Sequence, residues 1–194
     1  NKAFSIFTID EEAIERQRKA IGFQKDHIVL VYSGSVAGWQ SIDYWVPLLE
    51  NIMKKNDKVA VLFLTQPTLE IDQLSEKFPD RVKRFWLSPD QVAEYLSLAD
   101  IGLLIRKPMD TNKVASPTKF AEYLAVGLKV AISDGVGDYS RFVENQKCGF
   151  IFSDQINPLQ LSRTGYEERF KNQALAREKL TKENFKTSYF KAIG

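Results

Sequence analysis

The sequence predicts an α/β fold: a Rossmann-like, doubly wound parallel sheet of about six strands with helices on both faces. Two observations lead to this prediction. Short apolar segments alternate with amphipathic helical patterns along most of the chain, and most of the apolar segments are continuous runs. A continuous apolar strand is typical of a sheet covered on both faces, and strand–helix alternation is typical of parallel β/α crossovers.

The predicted strands and helices alternate in the order that this fold requires. Strands are predicted at residues 28–32, 59–64, 82–87, 101–105, 130–132 and 150–152. Helical patterns lie between them at residues 42–54, 69–78, 92–99, 118–126 and 139–145. Ser88-Pro89 and Ser116-Pro117 each place a capping residue before a proline, so we expect helices to begin at these two points.

Composition places the chain among ordinary globular proteins and excludes several kinds of function. Of the 194 residues 44% are hydrophobic and 27% charged, and the formal net charge of +2 does not favour nucleic acid or an anionic membrane. The single cysteine excludes an intramolecular disulfide and fits a reducing compartment. No apolar run approaches the ~18 residues of a membrane helix, so we expect a cytoplasmic protein. The single histidine, His27, removes most zinc sites, and we interpret it as a surface residue.

The two ends of the chain differ in pattern from its alternating middle. We predict a linker with an entering helix at residues 1–24, the sheet domain at 25–157, and carboxyl-terminal helices at 158–194. These last helices are expected to pack on the domain or to cross to a missing neighbour, using the aromatic residues Tyr166, Phe170, Phe185, Tyr189 and Phe190. Because the first residue is Asn1 rather than Met, we interpret the chain as part of a longer protein.

Two loops at the carboxyl ends of predicted strands are candidate ligand sites, because ligands of open parallel sheets collect at that edge. Gly34 and Ser35 follow the first strand and allow a ligand to approach the backbone, and Trp39 is the nearby aromatic residue best placed to touch it. The loop lacks the G-x-G-x-x-G dinucleotide fingerprint and is equally typical of a tight strand–helix connection. Arg106 ends the fourth strand and can bind a diphosphate with its guanidinium fork, or it is a solvated charge.

The third candidate is the helix that begins in the stretch NKVASPTKFAEYLAVGLKVAISDG at residues 112–135. Ser116 can cap this helix, the free amides of the first turn carry partial positive charge, and Lys119 adds a full charge, which suits phosphate. Glu122 lies about one turn deeper on the same face and can accept two hydrogen bonds from a vicinal diol such as ribose. A phosphate site and a diol acceptor one turn apart indicate a nucleotide. The alternative is a surface pair of Lys119 and Glu122, worth a few tenths of a kcal/mol.

At these residues the sequence resembles the carboxyl-terminal, nucleotide-sugar-binding domain of GT-B glycosyltransferases of the large retaining group 1 family. The stretch SPTKFAEYLAVGLKVAISDGVGDYSRFVENQKCGFIF resembles that family's helix, A-x-G turn, strand, glycine loop, helix and G-[FL]-[IL] strand. The stretch LVYSGSVAGWQ is similar to the start of the same domain in a subset that carries G-S-x-x-x-W-Q. The resemblance covers about residues 25–155.

The resemblance implies a role for each matching position. Glu122 would bind the donor ribose, and Gly34 and Ser35 would face the donor phosphates. The diphosphate and the donor sugar would be contacted by Ser116, Thr118 and Lys119, and the base would be held by Trp86, Leu87 and Ser88. Val114 stands where the family has its first glutamate, and the first loop lacks the family's arginine and lysine, so no catalytic residue is assigned.

The function implied is the donor-binding half of a retaining glycosyltransferase, which moves a sugar from a nucleoside diphosphate to an acceptor in cell-surface polysaccharide or lipopolysaccharide synthesis. We expect the partner to be a missing amino-terminal acceptor domain, without which this fragment is inactive. Any membrane association, at the inner face, is expected to run through that half. No metal or other cofactor is required, because helix dipoles and basic side chains can stabilise the leaving diphosphate.

Two other functions share this architecture. One is a sugar-nucleotide epimerase-like enzyme, which would need histidines and acids in its cleft and is disfavoured by the single histidine. The other is a non-catalytic α/β nucleotide-binding module.

Overall fold

The structure, a computed structural model, describes residue 4 and residues 7–35, 42–106, 118–136 and 138–180. Its six strands are β1 (Ile28–Ser33), β2 (Val59–Leu64), β3 (Val82–Phe85), β4 (Ile101–Leu104), β5 (Lys129–Ser133) and β6 (Gly149–Phe152). They form one parallel sheet in the order β3-β2-β1-β4-β5-β6. This order confirms the predicted doubly wound α/β fold.

Helices join successive strands and cover both faces of the sheet. In the described part of the chain they are α1 (Glu11–Ala20), α2 (Ile42–Lys55), α3 (Leu69–Lys77), α4 (Val92–Ser97), α5 (Thr118–Ala125), α6 (Tyr139–Gln146) and α7 (Tyr166–Lys179). A short 3-10 helix lies at Pro158–Gln160. None of the helices of these residues is both long enough and apolar enough to cross a membrane.

The central strands are apolar throughout because both of their faces are packed. Every residue of β1 and β2 is buried. Since successive side chains of a strand point to opposite faces, Val29 and Val31 join one core cluster with α4 and α5. Leu30 and Tyr32 join the other cluster with α2 and α3. The continuous apolar runs of the sequence therefore correspond to strands that are packed between two layers of helices.

The strand order reverses beside β1, and this reversal positions the candidate site. β1 pairs with β2 along its whole length, but its ladder with β4 contains only the pairs Leu30–Ile101 and Val31–Gly102. Beyond these pairs the two central strands no longer pair with each other. In doubly wound sheets this switch point opens a crevice at the carboxyl ends of the strands.

The helix start predicted at Ser88-Pro89 is wrong. These residues form a turn in which the Gln91 amide donates to the Ser88 carbonyl at 3.0 Å, and α4 begins only at Val92. The Ser88 hydroxyl hydrogen-bonds the Gln91 side chain at 2.9 Å instead of capping a helix. β3 is also shorter than predicted, because its last pair joins Phe85 to Leu64, where β2 ends. Ser116-Pro117 lies outside the described residues.

The helices at the two ends of the chain pack against the same sheet domain. Asp10 caps α1, its carboxylate accepting a hydrogen bond from the Ala13 amide at 3.0 Å. α7 buries polar side chains: Asn172 donates to the Leu128 carbonyl at 3.0 Å and Gln173 to the Ala125 carbonyl at 2.8 Å. Of the aromatic residues expected to pack on the domain or on a missing neighbour, the structure describes Tyr166 and Phe170, which are 43% and 40% exposed and pack on each other.

A buried ionic cluster ties α1 and α7 to the amino-terminal edge of the sheet. Asp100, fully buried just before β4, pairs with Arg18 of α1 at 3.1 Å and with Arg169 of α7 at 3.4 Å. Asp100 also accepts a hydrogen bond from the Val29 amide at 2.8 Å. A buried charge needs such partners, because removing it from water is costly.

His27 lies in the same region, and its interpretation as a surface residue is wrong. The side chain is buried, with its Nδ1 accepting a hydrogen bond from the Gln24 amide at 3.1 Å. Burial lowers the pKa of the His27 imidazole, which therefore favours the neutral form.

Candidate functional site

A cleft of about 350 Å³ opens at the carboxyl edge of the sheet, next to the switch point. One end of the cleft is built by the turn after β1 and the first turns of α5, and it is polar: Ser33, Gly34, Ser35, Lys119 and Glu122. The other end is built by the loop after β3 and the start of α4, and it is largely apolar: Trp86, Leu87, Pro89 and Val92. Leu64, Gln66 and Phe4 complete the wall.

Six of the residues predicted from the sequence meet around this one cleft: Gly34, Ser35, Trp86, Leu87, Lys119 and Glu122. Three others do not line it in the structure. Ser88 and Thr118 are exposed beside it, and Arg106 is buried at the end of β4. Trp39 and Ser116, like Val114, lie outside the described residues, so nothing in the structure tests them.

Gly34 combines a backbone conformation that favours glycine with a close approach of Lys119. Its φ is +135°, and a Cβ there would lie 2.1 Å from Lys119 Nζ and 2.4 Å from Cε. A side chain at position 34 would therefore displace the ammonium group as well as strain the backbone. The glycine after β1 lets the lysine of α5 lie directly over the turn.

The two carbonyl groups of this turn are held by hydroxyl groups of the protein. The buried Thr65 hydroxyl donates to the Gly34 carbonyl, and the Tyr32 hydroxyl donates to the Ser35 carbonyl at 2.6 Å. The Gly34 amide donates to the Leu64 carbonyl at 3.1 Å, which continues the β1–β2 ladder. Because hydroxyl groups of the protein hold these carbonyls, the carbonyl dipoles are directed at the protein rather than at an anion in the cleft.

Two basic side chains act on this end of the cleft. Burial lowers the pKa of the Lys119 ammonium, the Arg106 charge lowers it further, and the Glu122 carboxylate opposes both effects. Burial also lowers the pKa of the Arg106 guanidinium. The two cations, Lys119 and Arg106, are partly removed from water and face a single carboxylate, Glu122. This excess of positive charge favours an anionic ligand.

Tyr123 fixes the helix that carries Lys119 and Glu122, and sequence reasoning missed it. Its fully buried hydroxyl accepts a hydrogen bond from the Ser33 amide at 3.2 Å and donates to the Leu103 carbonyl at 3.3 Å. It thereby bridges β1 and β4 where their own ladder has ended. Its ring packs on Gly102, where a Cβ would lie 2.4 Å from the ring. A glycine inside an apolar strand was the available signal, since it often marks such a close approach.

A second depression, of about 510 Å³, lies at the outer edge of β3. Its wall carries charges of both signs, among them Asp72, Glu76, Lys83 and Arg84. Mixed charges beside an edge strand are typical of protection against pairing with another sheet. Among the residues that the structure describes, no group of His, Cys, Asp and Glu side chains could hold a metal ion.

No protein-family model and no curated protein matches this chain. Solved structures do match it. HepE from Anabaena, in complex with UDP-glucose, matches with a TM-score of 0.68 and 14% identity over 98% of this chain and 55% of HepE. WaaG, a glycosyltransferase involved in lipopolysaccharide biosynthesis, matches with a TM-score of 0.60 and 20% identity over 88% of this chain and 47% of WaaG.

The carboxyl-terminal domain of LpcC, a group 1 family glycosyl transferase from Francisella tularensis, matches with a TM-score of 0.62 and 12% identity. That match covers 92% of this chain and 98% of the domain. The chain thus spans about half the length of WaaG and HepE. At these identities the likeness shows the fold, which this chain shares with glycosyltransferases.

Proposed function

We propose that this chain is the nucleotide-sugar-binding half of a glycosyltransferase that moves a sugar from a nucleoside diphosphate to an acceptor. The observation that carries the proposal is the meeting of Lys119, Glu122 and the Gly34 turn around one cleft at the switch point. The fold shared with WaaG and with HepE, which was crystallised with UDP-glucose, supports it.

In this proposal the diphosphate lies at the polar end of the cleft. Lys119 contacts it from above the Gly34 turn, and the exposed Ser35 closes the other side. Arg106 acts through its positive charge, since it lies behind the cleft rather than in its wall. We propose Ser116 and Thr118 as further contacts of the diphosphate and sugar, as the resemblance implies, and Trp39 as an aromatic contact of the ligand.

The nucleoside extends from this end toward β3. Glu122 lies one helical turn beyond Lys119, and its carboxylate accepts hydrogen bonds from the ribose diol. Trp86, Leu87 and Ser88 follow β3, two strand spacings from β1 and therefore about 10 Å away. A nucleotide has the same order of parts, because its ribose joins an anionic diphosphate to a flat, largely apolar base.

The reaction of the whole protein belongs to the same proposal. A polysaccharide or lipopolysaccharide acceptor fits the description of WaaG as a glycosyltransferase involved in lipopolysaccharide biosynthesis. Retention of configuration, and a location in the cytoplasm or at the inner face of the membrane, are part of the proposal as the resemblance implies them. The match to about half of WaaG and HepE supports an additional acceptor-binding domain. Because such a domain would orient the acceptor nucleophile and exclude water, we propose that the donor-binding half alone transfers no sugar.

Calorimetric titration with UDP, GDP, CDP, ADP and TDP in the presence of EDTA tests the binding proposal. At least one diphosphate should bind with a Kd between about 1 μM and 1 mM. Lys119→Ala should weaken that binding, whereas Lys58→Ala, which removes the same charge at an exposed position, should not. Failure of all five diphosphates to bind, or binding only with added divalent metal, would overturn the proposal.

A further inference from the structure

We propose that Phe4, in the segment that precedes α1, forms a wall of the nucleoside end of the cleft, so that a bound base or ribose packs against its ring. The inference rests on the proposed function and deepens it by assigning a residue to base and ribose binding. Phe4 lines the cleft although it precedes all of the strands and is 7% exposed.

The neighbours of the amino-terminal segment show which end of the cleft Phe4 occupies. Gln173 of α7 donates to the Phe7 carbonyl at 3.0 Å and to the Ala125 carbonyl, at the end of α5, at 2.8 Å. On the other side, Gln17 of α1 donates to Glu94 of α4 at 2.8 Å. The segment is therefore held by α7, which also contacts the end of α5, and α1, which follows the segment, packs beside α4.

The two helices α5 and α4 carry residues that we assign to ribose and to the base. α5 contributes Glu122 to the cleft, and the start of α4 contributes Val92. Leu87, in the loop after β3, packs against the core cluster to which Phe4 belongs. Because Phe4 lines the cleft and belongs to the cluster against which Leu87 and Val92 pack, we assign its ring to the nucleoside end rather than to the Gly34 turn.

The chemistry of the wall agrees with that position. Phe4 offers a rigid, apolar ring with no hydrogen-bonding group, which contributes little to binding an anion. It matches the flat face of a nucleobase and the apolar face of a ribose, and base–aromatic stacking tolerates different bases. Gln173 and Arg177 both donate to the Phe7 carbonyl, which anchors the segment near Phe4 before any ligand binds.

The test compares Phe4→Ala with Phe23→Ala. Phe23 is a buried ring of the same core cluster, but it packs beside His27, toward the amino-terminal ends of the strands. Affinity is measured by calorimetry for whichever of UDP, GDP, CDP, ADP and TDP binds most tightly, and by competition for inorganic pyrophosphate. Phe4→Ala should lower the nucleotide affinity about tenfold and leave the pyrophosphate affinity unchanged. Phe23→Ala should lower the Tm and leave both affinities of the folded protein unchanged.

Phe4→Leu serves as a second variant if Phe4→Ala does not fold, because leucine keeps an apolar side chain but removes the ring. It should show the same selective loss of nucleotide affinity. Unchanged nucleotide affinity in both Phe4 variants, or equal losses for nucleotide and pyrophosphate, would overturn the inference while the binding of nucleotide by the unaltered protein still stands. Failure of the unaltered protein to bind any nucleotide would instead overturn the proposed function.

Discussion

At the scale of single residues, two glycines decide where larger side chains can lie. Gly34 leaves room for the Lys119 ammonium above the turn after β1. Gly102 leaves room for the Tyr123 ring above β4. Both large residues belong to α5, so the two glycines together allow this helix to approach the sheet closely at the switch point. The polar end of the cleft depends on this approach.

Glu122→Gln should weaken binding of the nucleoside diphosphate by roughly 1–3 kcal/mol, because it replaces charge-assisted hydrogen bonds to the ribose diol with neutral ones. The preference for ribose over 2′,3′-dideoxyribose should disappear in this variant. Calorimetry with matched ribo- and dideoxyribonucleotides measures both effects. The Tm should change little, since the carboxylate faces the cleft.

The matched control is Glu144→Gln, which changes an exposed carboxylate of α6. This substitution should leave nucleotide affinity unchanged. If Glu122→Gln behaves like this control, Glu122 is a surface carboxylate and forms no part of a nucleotide site.

The lowered pKa of Lys119 predicts a pH dependence of nucleotide binding. Bound phosphate favours the charged ammonium, so affinity should fall as pH rises through the pKa of the free protein. That fall should begin below the 10.5 of an ordinary lysine, because burial lowers the Lys119 pKa. The stability of the unliganded fold should change with pH in the opposite direction. Because the folded state binds this proton less tightly than the unfolded chain does, stability should rise with pH through the same window.

Titrations between about pH 7 and pH 10 measure this profile. Lys119→Arg stays charged over that range and should flatten it. An identical fall in affinity for Lys119→Arg and the unaltered protein would assign the titration to another group.

At the scale of secondary-structure elements, the position of α5 relative to β1 and β4 is the feature that builds the site. The ladder between β1 and β4 ends at the pair Val31–Gly102. Beyond that pair, the Tyr123 hydroxyl bridges the Ser33 amide and the Leu103 carbonyl. A side chain of the helix thus hydrogen-bonds both strands where they stop pairing with each other. The same position of the helix places Lys119 close to Gly34.

Tyr123→Phe should lower the free energy of unfolding by about 1–3 kcal/mol, because a buried amide and a buried carbonyl lose this hydroxyl as a partner. Nucleotide affinity should fall as well, since α5 is less firmly held over the turn. Urea denaturation and calorimetry measure the two effects. The control is Tyr95→Phe, which removes the hydroxyl of a half-buried tyrosine of α4 that packs on Phe85. This substitution should have a much smaller effect on both the free energy of unfolding and the nucleotide affinity. Equal effects of the two substitutions would contradict the bridge.

At the scale of the whole molecule, the candidate cleft and the buried ionic cluster lie at opposite edges of the sheet. The cleft lies at the carboxyl ends of the strands. The cluster of Asp100 with Arg18 and Arg169 lies before β4, at the amino-terminal ends. Arg163 adds a third cation to that cluster and also pairs with Glu15 of α1. Helices from both ends of the described chain are thereby fastened to the sheet without contributing to the polar end of the cleft.

Asp100→Asn should destabilise the fold by about 3–5 kcal/mol, because it leaves the buried charges of Arg18 and Arg169 without their common carboxylate. Denaturant unfolding measures this loss, and Asp57→Asn at an exposed position should change stability by less than about 0.5 kcal/mol. The nucleotide affinity of the folded Asp100→Asn protein should match that of the unaltered protein. A loss of affinity without loss of stability would contradict the separation of the two edges.

Local patterns were sufficient to predict the strands, most of the helices and one face of the candidate site. The apolar runs predict buried strands because both faces of a parallel sheet are covered. Lys119 and Glu122 could be placed on one side of α5, because the helical repeat brings residues three apart onto the same face. The helix start expected at Ser88-Pro89 failed, because the same residues also favour the turn that precedes α4.

Contacts between residues far apart in the chain were settled by the packing of the sheet and not by any local pattern. Phe4 reaches the cleft because α7 holds its segment in place through hydrogen bonds to the Phe7 carbonyl, and nothing in the residues around it indicates that position. His27 is buried because the chain around it packs under α1, although a lone histidine before a strand is equally compatible with solvent. Helical and strand periodicity indicate only which face of an element is apolar. The meeting of Trp86, Gly34 and Glu122 around one cleft depends instead on the order of the strands and on how closely α5 approaches β1 and β4.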